Sequence, residues 1–248
     1  CDWGTSALRV WAISADGQVL DRARSDKGMG TLDKSGFEPA LLALIDGWLT
    51  KPTRVVACGM VGARQGWVEA AYTPTPCDPR PVVATAALTT DPRLSVTVLG
   101  GIRQDHPADV MRGEETQIAG ALAARPDFDG VLCLPGTHTK WAHIVSEALT
   151  KPEALAARFF ALRAEGLLHD LAPDTARARL SGLLIGAELA AARPYWLGQS
   201  VLIIGSPASS DPYAAALAAQ GVSAECLDGE AMTLTGLAHA HATLGETA

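Results

Sequence analysis

Two short glycine-threonine turns constrain this chain more than any other feature: Asp2-Trp3-Gly4-Thr5-Ser6 at its start and Leu134-Pro135-Gly136-Thr137-His138 just past the middle of 248 residues. Each lies beside strand-forming residues. Leu8 to Ile13 and Val19 to Ala23 read as two strands around Asp16-Gly17, because Asp-Gly supplies the positive φ of a tight hairpin. Gly130 to Leu134 reads as a strand running into the second turn, and Trp141 to Val145 alternates as a short strand after it. The same order of strand and turn thus occurs twice, less completely the second time. Neither turn has the Gly-x-x-x-x-Gly-Lys spacing of a P-loop or the Gly-x-Gly-x-x-Gly of a dinucleotide fold, so both of those readings are dropped.

Between the turns the pattern predicts a helix from Phe37 to Leu49 and a strand from Val55 to Cys58 that leaves through Gly59-Met60-Val61-Gly62. An irregular stretch rich in Pro and Thr follows from Tyr72 to Pro92, then a strand from Leu94 to Leu99 and a helix from Glu114 to Ala124. Beyond the second turn the pattern predicts helices over Pro152 to Leu168 and Ala176 to Tyr195, the latter burying Leu180, Leu183, Leu184, Ala187 and Leu189. Gly182 and Gly186, four apart on one helix face, are expected to permit close helix packing. A strand from Val201 to Ile204, a helix from Pro212 to Gln220, a short strand from Ala224 to Leu227 and a helix from Ala231 to His241 complete the expectation.

A hydrophobic content of 48% suffices for a sizeable core, and the length favours two domains: residues 1–124 as an N-terminal lobe and 125–248 as a C-terminal lobe, with the last helix packing back on the first. The net charge of -7, without runs of like charge, argues against a nucleic-acid partner bound through a basic face. No apolar run reaches the ~18 residues of a membrane span, so no membrane partner is expected. Five scattered cysteines, an odd number, speak for a reducing, cytoplasmic setting rather than a disulfide framework. The start at Cys1-Asp2-Trp3, with neither Met nor a charged leader, suggests that further residues precede the first strand.

Asp2 places a carboxylate at a strand end beside a turn of small residues with two hydroxyls. Such a turn lets backbone N–H groups reach a phosphate while the carboxylate holds Mg2+ through water; an ordinary hairpin turn is the plainer alternative. The Gly136 turn offers a second set of donors. Arg112, Glu114 and Glu115 follow at a predicted helix start, where two carboxylates and a guanidinium suit proton abstraction and anion binding, although acidic residues in a first turn also simply complement the helix dipole.

The two turns resemble the phosphate loops of the actin, hexokinase and heat-shock chaperone superfamily, the second with Pro135 in place of the usual aspartate. The combination of Asp2-Trp3-Gly4-Thr5-Ser6, Gly59-Met60-Val61-Gly62 with Gly66-Trp67, Val110 to Gln117, Leu134 to Trp141 and Leu180 to Glu188 resembles the 2-dehydro-3-deoxygalactonokinase family. That resemblance implies an α/β, two-lobed actin-like ATPase (ribonuclease H-like) fold with an interdomain cleft that closes on its substrate. It implies ATP-dependent phosphorylation of 2-dehydro-3-deoxy-D-galactonate to its 6-phosphate, with ATP and Mg2+ as cofactors and a small sugar acid as partner; a homodimer stays open. Under it, Glu115, then Glu114, act as base and Arg112 as anion clamp. Asp2, Gly4, Thr5, Ser6, Arg9, Gly136, Thr137, His138, Lys140, Gly205 and Ser206 contact the nucleotide, with Mg2+ on Asp2. Gly28, Met60, Val61 and Trp67 form the sugar-acid pocket, with Trp67 as ordinary core the competing view. A phosphoanhydride hydrolase of the exopolyphosphatase type, resting on Gly113-Glu114-Glu115, and a non-catalytic sugar-responsive regulator are the alternatives. Between Val145 and Glu147 the family's pattern has a further hairpin strand and a Met-Thr-Gly-Glu-Leu segment that this sequence lacks. Their loss would leave a bare sheet edge, so the expectation is that the sequence omits residues there.

Overall fold

Alternation along Leu8–Ile13 (β2) buries Leu8 and Val10 on one face, and pairing on both sides completes a sheet. The computed structural model describes residues 1–14, 17–78, 83–105, 109–136, 139–144 and 172–246. β2 pairs antiparallel with Asp2–Trp3 (β1), where Asp2 stands opposite Arg9, and with Val19–Ser25 (β3), where Trp11 stands opposite Arg22. Gly17 near the hairpin end has φ 84°, the conformation expected of Asp-Gly, while Asp16 lies outside the described residues.

The chain divides into two units, Cys1–Pro126 with Ala231–Ala248, and Asp127–Glu230. In the first, β1 is bridged in parallel to Cys58, at the end of Thr53–Ala57 (β4), and the Trp3 N–H donates to the Cys58 carbonyl at 3.0 Å. Tyr72–Pro74 (β5), Ala84–Ala87 (β6), Leu94–Leu99 (β7), Gly101–Gln104 (β8) and Asp109–Met111 (β9) follow. β4 runs parallel to β7, β6 lies antiparallel on β7, and β5, β8 and β9 form a small separate sheet. The stretch from Tyr72 to Pro92, expected to be irregular, therefore contributes two strands. Ala84-Thr85-Ala86-Ala87 has little strand propensity of its own and becomes one by pairing along Val96–Leu99.

Phe37–Ile45 (α1) packs Phe37, Leu41 and Ile45 into the core and ends earlier than expected, continued by a 3-10 turn over Asp46–Trp48. Trp3, fully buried, meets the Phe37 ring edge-on at 5.1 Å, and Trp67 stacks on Phe37 at 6.0 Å. Each such aromatic pair adds about 1 kcal/mol beyond its buried area. Glu114–Ala124 (α2) crosses the last helix at backbone distance. A Cβ on Gly120 would lie 2.0 Å from the Met232 carbonyl, and one on Gly236 would lie 2.0 Å from that of Thr116.

In the second unit Lys140–Ile144 (β11), Gly130–Leu134 (β10), Val201–Gly205 (β12) and Ala224–Asp228 (β13) form one sheet in that order, antiparallel at β11–β10 and parallel thereafter. Both units thus set an antiparallel hairpin beside parallel strands. Pro173–Ala191 (α3), Arg193–Trp196 (α4) and Pro207–Ala218 (α5) complete it, and Gly229–Glu246 (α6) ends the described chain. The helix expected over Ala176 to Tyr195 is broken between Ala191 and Arg193, where Pro194 lacks the N–H that would continue it. The buried stripe is Ile185, Leu189 and Ala192; Leu180 and Leu184, expected inside, are 40% and 48% exposed. The close packing expected at Gly182 and Gly186 is absent, since neither has a neighbour within 4 Å of an added Cβ among the described residues. α5 begins at Pro207, not Pro212, because Pro207 is equally suited to the first helical position and stands directly after Ser206. The helix expected over Pro152 to Leu168 lies outside the described residues.

Candidate active site

The turn between β1 and β2 is held from beneath. The Gly4 N–H donates to the Ala7 carbonyl at 2.9 Å, and the N–H groups of Met29 and Gly30 donate to the Gly4 and Thr5 carbonyls at 2.9 Å each. With its carbonyls tied down, the turn keeps the amides of Thr5, Ser6 and Ala7 without a partner among the described residues, and Thr5 and Ser6 are exposed. Consecutive free amides of this kind make an anion-binding concavity. Gly28, read from sequence as a pocket residue, sits directly under the turn: a Cβ there would lie 2.3 Å from the Thr5 carbonyl and 2.4 Å from the Ala7 nitrogen. Gly28→Ala is therefore expected to cost about 3 kcal/mol. Gly4→Ala, whose Cβ would meet only the Ala7 carbonyl at 3.6 Å, should melt near wild type, and thermal melts of the two variants check this contrast.

Beside the turn, Asp2 accepts a hydrogen bond from Arg9 through Oδ2, while its Oδ1 lies against Gly59. Gly59, at φ 91°, and Gly113, at φ 108°, meet back to back, a Cβ on Gly113 coming 3.3 Å from the Gly59 Cα. This brings the start of α2 next to Asp2. The Glu115 carboxylate accepts the Gly113 N–H at 2.8 and 2.7 Å, and Glu114 accepts the Arg112 N–H at 2.9 Å. Glu115 is buried, and burial, reinforced by the Glu114 charge, pushes its pKa up to about 7 against the hydrogen bonds that favour the ionised form. Burial, then the charges of Asp2 and Glu115, raise the neighbouring Cys58 thiol well above its ordinary range.

Arg112 is no surface residue: it is 8% exposed, its guanidinium lies over the Tyr72 ring at 4.1 Å, and it donates to the Ala70 carbonyl at 2.9 Å and the Tyr72 hydroxyl at 3.2 Å. Its Nη1 has no partner among the described residues. A buried guanidinium without a carboxylate is costly, and an incoming anion would offset that cost. Met60 is half-buried at the Gly59 turn. Val61, read as a pocket residue, is fully buried in the core, and Trp67 is partly buried against the same core.

In the second unit Gly136 is exposed after β10, Thr137 and His138 lie outside the described residues, and Lys140 is buried on β11. Gly205 ends the parallel strand β12 beside Pro135, a Cβ there coming 3.8 Å from the Pro135 Cδ. Ser206 opens α5 by accepting the N–H groups of Ser209 and Ser210 at its carbonyl, both at 2.9 Å. The two loops thus share the carboxyl ends of parallel neighbours, where open α/β sheets bind ligands. Tyr72 under Arg112 could not be found from sequence, since partners distant along the chain leave no local pattern.

The chain matches the model of the 2-keto-3-deoxy-galactonokinase family over residues 2–151 and 144–240. It is 34% identical over 294 aligned residues to the protein DgoK1 of Rhizobium meliloti, assigned as a 2-dehydro-3-deoxygalactonokinase, covering 96% of this chain and 94% of that one. Against the 2-dehydro-3-deoxygalactonokinase of Escherichia coli the identity is 26%, over 95% of this chain and 94% of that one. A crystal structure of a protein of the same assignment from Sinorhizobium meliloti superposes with a TM-score of 0.85 at 32% identity, covering 98% of this chain and 97% of that chain. The activator of 2-hydroxyisocaproyl-CoA dehydratase from Clostridium difficile, with bound ADPNP, superposes with a TM-score of 0.54 at 10% identity over 99% of this chain and 94% of that one, a likeness of fold alone. Fold and relatives together define a sugar-acid kinase of the actin-like ATPase fold, which uses ATP. The chain belongs to the 2-keto-3-deoxy-galactonokinase family. The alignment to DgoK1 has 294 positions against 248 residues here, so the relative carries residues that this sequence lacks; the two family matches meet at residues 144–151, where the pattern departs.

Proposed function

We propose that this chain transfers the terminal phosphoryl group of ATP to the 6-hydroxyl of 2-dehydro-3-deoxy-D-galactonate. What carries the reading is the match, over nearly the whole chain, to relatives assigned this activity, together with a family match that begins at Asp2 and so takes in the Asp2-Ser6 turn. The free amides of Thr5, Ser6 and Ala7 bind phosphate oxygens, and Gly4, without a side chain, leaves the approach open. Gly136, Lys140, Gly205 and Ser206 of the second unit, together with Thr137 and His138, contact the nucleotide, and Arg9 holds Asp2 in place. Mg2+ carried with ATP would neutralise phosphate charge, and the Asp2 carboxylate, with one oxygen on Arg9 and the other turned to Gly59, fits a water-mediated hold on it. Glu115, with a pKa near 7, takes the proton of the acceptor hydroxyl, and Arg112 meets the substrate's anionic end. Met60 and Trp67 line the sugar-acid side, with Gly28 supporting the turn. The enzyme works in the cytoplasm, a reading supported by five free cysteines, on small molecules rather than on nucleic acid or membranes.

A coupled assay of ADP release over several keto-deoxy sugar acids tests this. Release that requires a 2-dehydro-3-deoxy acid and is fastest with the galactonate epimer is the expected result. Phosphate release from ATP without any sugar acid would replace the kinase reading with hydrolysis.

A further inference from the structure

The motif Leu180 to Glu188 has no part in the reading above, yet it ends on a carboxylate inside the second unit. Glu188, on α3 beside the buried Leu189, has one neutral donor on each oxygen: the Trp141 indole N–H at 2.8 Å on Oε1 and the Tyr213 hydroxyl at 2.7 Å on Oε2. Tyr213, buried on α5, also touches the Thr139 hydroxyl at 2.9 Å. Among the described residues no lysine or arginine pairs with Glu188.

The chemistry of these groups sets the direction of the chain of bonds. A carboxylate only accepts, so the single proton of the Tyr213 hydroxyl goes to Glu188. The Thr139–Tyr213 contact must then be filled by the proton of Thr139, whose oxygen keeps only lone pairs for any further partner. Burial first, and the Glu188 charge as well, push the Tyr213 pKa well up, so this hydroxyl stays protonated across the physiological range.

We infer that Glu188 is a positioning residue for the nucleotide, which through Tyr213 and Trp141 sets where the chain resumes after the Gly136 turn and makes the Thr139 hydroxyl an acceptor. Thr139 and Trp141 flank Lys140 at the start of β11, and Tyr213 stands on the helix that opens at Ser206. Three hydrogen bonds therefore tie the exit of one proposed nucleotide loop to the helix begun by the other. The inference rests on the nucleotide assignment of the second unit made above. A purely structural cluster would also be buried and satisfied, but its loss would appear in stability and not selectively in nucleotide affinity.

Calorimetric titration of Mg-ADP into the full chain separates the two, with thermal melts alongside. Tyr213→Phe and Thr139→Val are each expected to weaken ADP binding about 5- to 10-fold, the worth of one hydrogen bond. The double variant should bind no more weakly than the worse single one, since both changes sever the same link. Thr139→Ser, which keeps the hydroxyl, should bind as wild type. Wild-type ADP affinity in both single variants, whatever their melting temperatures, overturns the inference, and so do fully additive losses. A wild-type chain that binds no ADP overturns the nucleotide reading itself and this inference with it, an outcome visible before any substitution is made.

Discussion

Asp2→Asn is expected to lower kcat about a hundredfold or more at saturating ATP while the protein still folds. Loss of one carboxylate from the phosphate-side electrostatics removes about 3 kcal/mol of transition-state stabilisation, which corresponds to that factor. The cost to the fold should be small. The Asp2 partner Arg9 is 43% exposed, and an ion pair with so exposed a member contributes less than about 1 kcal/mol. The backbone pairing of Asp2 with Arg9 and its bridge to Cys58 do not depend on the carboxylate. Steady-state kinetics with a thermal melt measures both halves, and Arg9→Gln serves as the control for the ion pair alone. Unchanged turnover in Asp2→Asn would remove Asp2 from the chemistry and leave it a strand residue with a surface partner.

Glu115→Gln should move two quantities in opposite directions. As the proposed base, Glu115 is worth about 100- to 10,000-fold in kcat, and wild-type kcat/KM should rise with pH through about 7 as it ionises. Stability follows the opposite sign. Glu115 titrates near 4.3 in an unfolded chain and near 7 when folded, so between those values the folded state binds more protons and stability falls as pH rises. The loss is complete above about pH 7 and amounts to a few kcal/mol. Glutamine cannot ionise, so the variant should melt higher than wild type at pH 8 and much the same at pH 4. Denaturation at the two pH values, beside a pH–rate profile, provides the check. Full activity with raised stability would confine Glu115 to holding the Gly113 amide, and Glu114→Gln would then become the substitution to make.

Much of the fold could be read from local sequence because the signals were themselves local. Leu94–Leu99, Glu114–Ala124 and Gly130–Leu134 stand where the sequence reading placed them, since alternating or continuous apolar residues in a strand and a run of good helix formers carry their own evidence. The Ala84–Ala87 strand did not announce itself, and neither did the exposure of Leu180 and Leu184. Their state depends on a neighbour far along the chain. Helix packing teaches the same point: spacing singled out Gly182 and Gly186, whereas the backbone contact falls at Gly120 and Gly236, more than a hundred residues apart.

The candidate site divides along the same line. Residue type and order were enough to nominate Asp2-Trp3-Gly4-Thr5-Ser6, Arg112 to Glu115 and the Gly136 turn as candidates for phosphate and proton chemistry, because such turns and helix starts are short-range objects. Only folding revealed that Gly28 clamps the first turn, that Arg112 is buried on Tyr72 without a carboxylate, and that Glu188 joins Trp141 to Tyr213 on α5. Burial and hydrogen-bond partners are properties of assembled neighbours, so no window of sequence contains them.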